Sequence, residues 1–138
     1  MRKLALDVGD VRIGLALSDI TGIIASGYET YTRKGVPQDY EYIRDFIIKN
    51  SVDGVVLGLP VNMDGSEGPR VRITRQFGEE LKEFIPNIPM TFLDERLTTV
   101  QAERMLIDGG VRREKRKKVI DKVAATLILQ AYLDRGCK

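Results

Sequence analysis

Two short segments with alternating apolar side chains open the chain, and they constrain its fold more than any other feature. Residues 3–8 and 12–18 both place apolar side chains at every second position, which is the period of a β-strand. The segment between them, Gly9-Asp10-Val11, is typical of a hairpin turn. A third strand is expected over 23–32, after the turn at Thr21-Gly22. The sequence therefore predicts three antiparallel strands at the N-terminal side of a sheet.

After the third strand the pattern changes to helices that alternate with strands. The segment 53–59 is almost continuously apolar and ends at Pro60, which is typical of a parallel strand covered on both faces. A short strand is expected over 90–94. Helical spacing predicts helices over 39–49, 70–84 and 119–133, with Asp39 as the N-cap of the first. A further helix is expected between a capping box at Thr98 and Gln101 and the stop signal Gly109-Gly110.

This order of elements predicts an α/β fold. Its centre is a mixed five-stranded sheet, with three antiparallel N-terminal strands plus two parallel strands, and helices flank the sheet. We expect residues 1–138 to form one domain of this kind.

The absence of histidine from all 138 residues narrows the possible chemistry. It excludes mechanisms that pair histidine with serine or cysteine, and it leaves carboxylates, lysine, tyrosine or a terminus as bases and metal ligands. The single cysteine, Cys137, has no partner for an internal disulfide. No apolar run reaches the roughly 18 to 20 residues of a membrane span. We therefore expect a soluble, cytoplasmic protein with no membrane contact.

One compact block of positive charge stands out from a nearly neutral chain. Residues 112–118 read RREKRKK, six basic residues and one acidic, in a chain of net charge +2. Subtracting them from the totals of 22 basic and 20 acidic residues leaves 16 and 19, so the rest of the chain is mildly acidic. Such a block favours contact with a polyanion, and a solvated loop is an equally good interpretation.

Acidic residues at the ends of two predicted strands are candidates for a site. Asp7 lies near the end of the first strand, where aspartate is uncommon, and its alternative role is that of a turn former ahead of Gly9. Asp94 ends the last predicted strand and Glu95 follows it, and alternation directs them to opposite faces, so only one readily faces a common site. The alternative there is an exposed turn in which Arg96 pairs with an acid.

The third acidic candidate, Asp121, lies near the start of the last predicted helix. Steps of three, four and seven residues lead from it to Ala124, Ala125 and Ile128. It is therefore expected on the helix stripe that faces the sheet. A favourable anion in the first turn of a helix is the alternative explanation of its residue type.

These acidic positions can converge on one edge of the sheet. Two carboxylates about 4 Å apart repel each other by about 4 kcal/mol at an effective dielectric constant near 20, so such a cluster takes up protons or binds a cation. Because the ligands are oxygens, Mg²⁺ or Mn²⁺ is the expected cation. Two such cations can activate a water and stabilise the leaving oxygen when a phosphodiester is hydrolysed, without histidine.

Four motifs follow one another along essentially the whole chain. They are LALDVGDVRIGLALSD, GVVLGLPVNMDGSEG, FLDERLTTVQAE and KVIDKVAATLILQAYL. In this order they resemble the YqgF family, also called RuvX, of pre-ribosomal RNA nucleases and Holliday-junction-resolvase-like proteins with the RNase H fold. The resemblance implies a cytoplasmic, metal-dependent endonuclease that acts on the 5′ side of the small-subunit (pre-16S) ribosomal RNA precursor. It also implies that Asp7, Glu95 and Asp121 are the catalytic and metal-binding carboxylates, with Mg²⁺ or Mn²⁺ as cofactor.

The resemblance also suggests contacts with nucleic acid. The segment with Asn62, Asp64, Gly65 and Glu67 matches the family's loop after the fourth strand, and a flexible surface turn is the alternative. Arg96 and Thr98 are candidates for holding a phosphate, although Thr98 also fits a helix cap. The basic block precedes the helix that carries Asp121 and is expected to clamp phosphates through Arg112, Arg113, Lys115, Arg116, Lys117 and Lys118.

Three competing functions stay open at this point. A Holliday junction resolvase acting on four-way DNA needs two active sites and hence a dimer. A non-catalytic RNA-binding module of ribosome assembly would keep the carboxylates only as structural groups. A nucleotide-binding domain of the actin and sugar-kinase type has a similar first hairpin but needs a second domain. The expected partners are pre-16S rRNA or branched DNA, and ribosomal subunit precursors, with the chain a monomer or a homodimer.

Overall fold

The elements of the fold alternate much as the sequence predicts. The structure, a computed structural model, describes residues 2–97 and 113–135, and of residues 97 and 113–122 it describes the backbone alone. The predicted helix from Thr98 to Gly109-Gly110 lies outside the described residues. The elements are β1 (Arg2–Val8), β2 (Arg12–Ser18), β3 (Ala25–Thr32), α1 (Gln38–Lys49), β4 (Val52–Leu59), α2 (Pro69–Lys82), β5 (Met90–Asp94), a 3-10 turn (Glu95–Leu97) and α3 (Arg113–Asp134).

The five strands form one mixed sheet in the order β3-β2-β1-β4-β5. Strand β1 pairs antiparallel with β2 and parallel with β4, while β2–β3 is antiparallel and β4–β5 is parallel. The Gly9 amide donates to the Arg12 carbonyl oxygen at 2.8 Å and closes the first hairpin. The predicted sheet, with three antiparallel and two parallel strands, is confirmed, and β1 is its central strand.

Each face of the sheet is covered by helices. Leu4, Leu6 and Val8 of β1 belong to the core beneath α1 and α2. Ala5 lies on the opposite face, in a second core with Ala16, Val56, Leu93 and the buried side of α3. This alternation explains why β1 is apolar on both sides. Among the described helices, none combines the length and the apolarity needed to cross a membrane.

Strand β3 begins at Ala25, two residues later than predicted. The reason is Asp19, whose Oδ1 accepts the amides of Ile23 (2.9 Å) and Ile24 (3.0 Å), so these amides are satisfied within the turn. Hydrogen bonds from the Thr21 hydroxyl and from these two amides lower the pKa of Asp19 to about 2.

The prediction that Asp39 caps α1 is wrong. The residue before α1 is Pro37, no side chain caps the helix, and Asp39 is fully buried within the first turn. Its carboxylate accepts hydrogen bonds from the Tyr31 hydroxyl (2.9 Å), Arg33 Nε (2.8 Å) and the Lys34 amide (2.9 Å). Burial raises the pKa of Asp39, but these three donors outweigh burial and leave the pKa below its usual value.

The last helix begins earlier than the predicted residue 119. Helix α3 starts at Arg113, so most of the basic block forms its first turns instead of a preceding loop. The sequence pattern misses this because six charged side chains in a row carry no apolar stripe. Arg112 lies outside the described residues.

We predict that Asp39→Asn lowers the free energy of unfolding by about 3 kcal/mol at pH 7, because it leaves the Arg33 charge without its buried partner. Urea unfolding measures this loss. Asp45→Asn is the control, since the Arg44–Asp45 pair is exposed and its loss should cost less than about 1 kcal/mol.

The loss should depend on pH in one direction. Because the folded pKa of Asp39 is lowered, its charge stabilises the fold above about pH 4, and this contribution is lost as the pH falls through the folded pKa. A difference between Asp39→Asn and wild type that grew as the pH fell would contradict this account.

Candidate active site

Asp7 lies at the carboxyl end of the central strand, on the sheet face that α3 covers. It is 6% exposed and pairs with Gly14 of β2. Continuing the β1–β4 register one step beyond Leu6–Leu57 places Gly58 on its other side. The two neighbouring strands therefore present glycine beside Asp7, which leaves space above the sheet around its carboxylate.

Glu95 lies on the same face of the sheet as Asp7. It is fully buried in the 3-10 turn directly after β5. A Cβ atom placed on Gly58 would lie 3.0 Å from Glu95 Oε1 and 2.4 Å from Ile128 Cδ1. Glu95 and Ile128 of α3 thus fill the space that Gly58 leaves beside Asp7. The two carboxylates share one buried region at the carboxyl ends of the parallel strands.

Asp94 has a different role. Arg96 Nη2 donates to Asp94 Oδ2 at 2.7 Å, and the Arg96 amide donates to Asp94 Oδ1 at 2.9 Å. The side-chain hydrogen bond with Arg96 is the main reason why the pKa of Asp94 lies below its usual value. The expected pairing of Arg96 with an acid therefore occurs, with Asp94. Alternation predicts opposite faces for Asp94 and Glu95, and Glu95 is the one that lies beside Gly58 on the Asp7 face.

The N-terminal end of helix α3 points toward the end of the sheet that carries Asp7. Near its C-terminal end, Gln130 Oε1 accepts the Ala25 amide (2.9 Å), and Gln130 Nε2 donates to the Ile23 carbonyl (3.0 Å). One turn earlier, Leu127 lines a cavity with Gly27, which is further along β3. The helix is thus roughly antiparallel to β1.

This direction locates residue 121, whose side chain lies outside the described part. Gln130 bonds Ala25, which lies level with Lys3 across β2. From Lys3 to Asp7 the strand rises about 13 Å. From Gln130 back to residue 121 the helix rises about 13 Å as well. The α3 backbone therefore brings position 121 level with Asp7, at the end of the sheet where Glu95 also lies.

A hydrogen-bonded turn forms a rim at this end of the sheet. In the loop after β4, the Asn62 amide donates to the Ser66 carbonyl (3.1 Å), and Asn62 Nδ2 donates to Ser66 Oγ (3.0 Å). Asp64 Oδ1 accepts both the amide and the hydroxyl of Ser66. Gly65 adopts a positive φ of 91° and lies against Arg96, since a Cβ there would be 3.4 Å from Arg96 Nη1.

Two ion pairs extend the rim. Arg70 Nη1 of α2 lies 3.3 Å from Asp10 Oδ2 at the tip of the first hairpin, and Arg75 holds Glu67 at 3.0 Å. No sequence pattern indicated the Asp10–Arg70 contact. By contrast, a glycine inside an apolar strand indicates a close approach, so Gly58 could have been singled out.

The residues that are described fit part of a cation site. Asp7 and Glu95 supply the carboxylate oxygens that Mg²⁺ and Mn²⁺ prefer. No group of three acidic or cysteine side chains that could hold a metal occurs among those that the structure describes. The third predicted ligand, Asp121, lies outside them, as do Thr98 and the side chains of the basic block.

Comparison with solved structures defines the class of fold. RuvC of Thermus thermophilus, solved in complex with a Holliday junction substrate, aligns with a TM-score of 0.59 over 99% of this chain and 97% of that chain, at 12% identity. A second Thermus thermophilus RuvC structure aligns with a TM-score of 0.57 and 13% identity, over the same shares. The protein therefore has the RNase H-like fold of the RuvC resolvases, as expected from its motifs.

Comparison of sequences identifies the family. The family described as "RuvX: Holliday junction resolvase" matches residues 1–135. A protein of Caldanaerobacter subterraneus subsp. tengcongensis named "Putative pre-16S rRNA nuclease" is 55% identical over 97% of this chain and 96% of its own length. A protein of the same name from Carboxydothermus hydrogenoformans is 49% identical over 100% and 99%. The chain belongs to the RuvX family.

We predict that Gly58→Ala lowers nuclease activity at least tenfold, because its Cβ would displace the Glu95 carboxylate and Ile128. Gly78→Ala is the matched control. It creates a similar clash, 2.7 Å from Phe92 Cζ, on the other side of the sheet. If both variants fold and lose activity equally, the crowding at Gly58 is not specific to the site.

Proposed function

We propose that this chain is an endonuclease that hydrolyses phosphodiester bonds with Mg²⁺ or Mn²⁺ and that it matures the 5′ end of pre-16S ribosomal RNA. The observation that carries the proposal is the meeting of Asp7 and Glu95, both buried, beside Gly58 at the carboxyl end of the sheet. Packing alone does not explain two acidic side chains in one buried region, because aspartate and glutamate are almost never fully buried unless they are paired.

The proposed metal ligands are Asp7, Glu95 and Asp121. Two carboxylates that share a buried region repel each other when both are ionised, and a divalent cation removes this repulsion. Asp121 is assigned from the position of α3, which brings residue 121 level with Asp7. When bound, the cation supplies an activated water and neutralises charge on the phosphate.

The protein's own groups position the reaction. Asp7 and Glu95 are fixed by the central strand and by the turn after β5, so they present their oxygens without the freedom of surface side chains. Apolar side chains of α3 close one side of this region and exclude water, which strengthens the electrostatic interactions inside it.

The start of α3 is the proposed phosphate-binding surface. Residues 113–118 precede residue 121 by three to eight positions, so the helix axis carries them about 5 to 12 Å beyond it. A nucleic acid that reaches the carboxylates would pass this segment. We assign phosphate contacts to Arg113, Lys115, Arg116, Lys117 and Lys118, together with Arg112.

The rim offers further contacts on the opposite side of the site. We assign Asn62 and Arg96 to nucleic-acid binding, because the loop turn and Arg96 lie together at the ends of β4 and β5. A phosphate can compete with Asp94 for the Arg96 guanidinium, since both are planar bidentate partners of arginine.

The names of the relatives support RNA as the substrate, whereas the description of the family supports a four-way DNA junction as the second candidate. The RNA assignment implies work in the cytoplasm on ribosomal subunit precursors. Resolution of a junction would need two sites and therefore a homodimer, while cleavage of RNA needs only a monomer.

We predict metal-dependent cleavage of an end-labelled RNA that spans the 5′ junction of pre-16S rRNA. Asp7→Asn, Glu95→Gln and Asp121→Asn should each lower the rate on the order of 1,000-fold, because each removes a charged ligand of the proposed cation. The rate is measured with Mn²⁺, with Mg²⁺ and with EDTA, beside a four-way DNA junction.

Asp53→Asn is the control for this experiment, because Asp53 pairs with Lys3 at the other end of the sheet. Its rate should stay within about twofold of wild type. Cleavage of the junction alone would establish the resolvase. Tight RNA binding without any cleavage, unchanged in the three variants, would contradict the nuclease and indicate a binding module.

A further inference from the structure

Arg12 shares the sheet face of the proposed site. Arg12 begins β2. The odd-numbered residues that follow it in this strand face the core beneath α1 and α2; they are Ile13, Leu15 and Leu17. Arg12 therefore lies on the α3 side with Gly14. Gly14 is the direct partner of Asp7, so Arg12 is a diagonal neighbour of Asp7 on the same face.

The guanidinium of Arg12 is incompletely satisfied within the described structure. Its Nε is buried and has no hydrogen-bond partner there. An arginine side chain stays charged at any pH at which proteins fold, and a buried donor is ordinarily paired. An unpaired, charged donor in this place indicates a site for an anion.

Three other arginines at this end of the sheet contrast with Arg12. Arg33 pairs with Asp39, Arg70 with Asp10 and Arg96 with Asp94. Arg12 forms no such pair with any carboxylate that the structure describes, although it lies close to Asp7 along the sheet. Its charge therefore stays available beside the acidic pair instead of neutralising it.

The backbone around Arg12 is held firmly. The Arg12 carbonyl accepts the Gly9 amide at 2.8 Å, and the Arg33 amide donates to the Val11 carbonyl at 2.8 Å. Arg33 Nη1 also donates to the Gly9 carbonyl at 3.0 Å. These bonds fix the hairpin that carries both Asp7 and Arg12, so the distance between the two positions varies little.

We propose that Arg12 binds a phosphate group of the nucleic-acid substrate next to Asp7 and Glu95, an inference that rests on the proposed phosphodiester substrate. The guanidinium would donate two parallel hydrogen bonds to phosphate oxygens. It would hold the phosphate against the carboxylate pair and neutralise negative charge that develops on the phosphate during hydrolysis.

The experiment compares Arg12→Met and Arg12→Lys with wild type, using Arg2→Met as the matched control. Arg2 lies at the opposite end of β1, so its substitution by methionine removes the same charge from the same sheet. Three quantities are measured for each: the melting temperature, the Kd for the RNA and for the four-way junction in EDTA, and the cleavage rate at saturating enzyme with Mn²⁺.

Arg12→Met should melt at or above the wild-type temperature, because it removes an unsatisfied buried donor. It should weaken binding about tenfold and slow cleavage about 100-fold. Arg12→Lys should restore most of the affinity but little of the rate, since lysine offers a point charge without the bidentate geometry. Arg2→Met should leave affinity and rate within about twofold.

Several results would overturn the assignment of Arg12. These are wild-type binding and rate in Arg12→Met, equal losses in Arg2→Met, a melting temperature that falls in proportion to activity, or a wild-type chain that binds neither nucleic acid. The proposed nuclease fails separately, if wild type cuts neither substrate. Arg12-dependent binding in EDTA would then still support the phosphate contact.

Discussion

Helix α3 approaches the sheet closely because the residues beneath it are small. Ala5 and Ala16 lie under the helix, and Gly58 leaves a space that Ile128 and Glu95 share. The same close approach sets the position of residue 121 over the sheet, and the turn after β5 brings Glu95 into the space beside Asp7. Larger side chains on this face would lift the helix and separate the elements that carry the acidic residues. The site is therefore a consequence of how one helix packs on one face.

The opposite face holds the site in a different way. Asp39, buried beneath the first hairpin, binds Arg33, and Arg33 binds the Gly9 carbonyl just after the end of β1. An ionic network thus fixes the end of the strand that carries Asp7, while apolar packing under α3 fixes the other side. Such a support limits the movement of the acidic groups, which is what electrostatic catalysis of phosphodiester hydrolysis requires.

Local patterns predicted the strands well, because alternation reports directly which face each side chain occupies. They failed where a side chain competes with the backbone pattern. Asp19 delays β3 by accepting two amides. Asp39 has the residue type of a cap but lies inside the first turn of α1, where it forms a buried ion pair with Arg33. The start of α3 was missed because its charged turns carry no amphipathic signal. Alternation predicted opposite faces for Asp94 and Glu95, but only the three-dimensional register shows that Glu95 lies beside Asp7 and that Gly58 makes room for it.

The central claim is that Asp7 and Glu95 share a divalent cation. The most direct measurement is anomalous diffraction from crystals of the protein soaked in Mn²⁺. We predict a peak beside Gly58, about 2.2 Å from a carboxylate oxygen of Asp7 and from one of Glu95, and no such peak in Asp7→Asn. Ordered crystals that show Mn²⁺ at other acidic residues and none between these two would contradict the account.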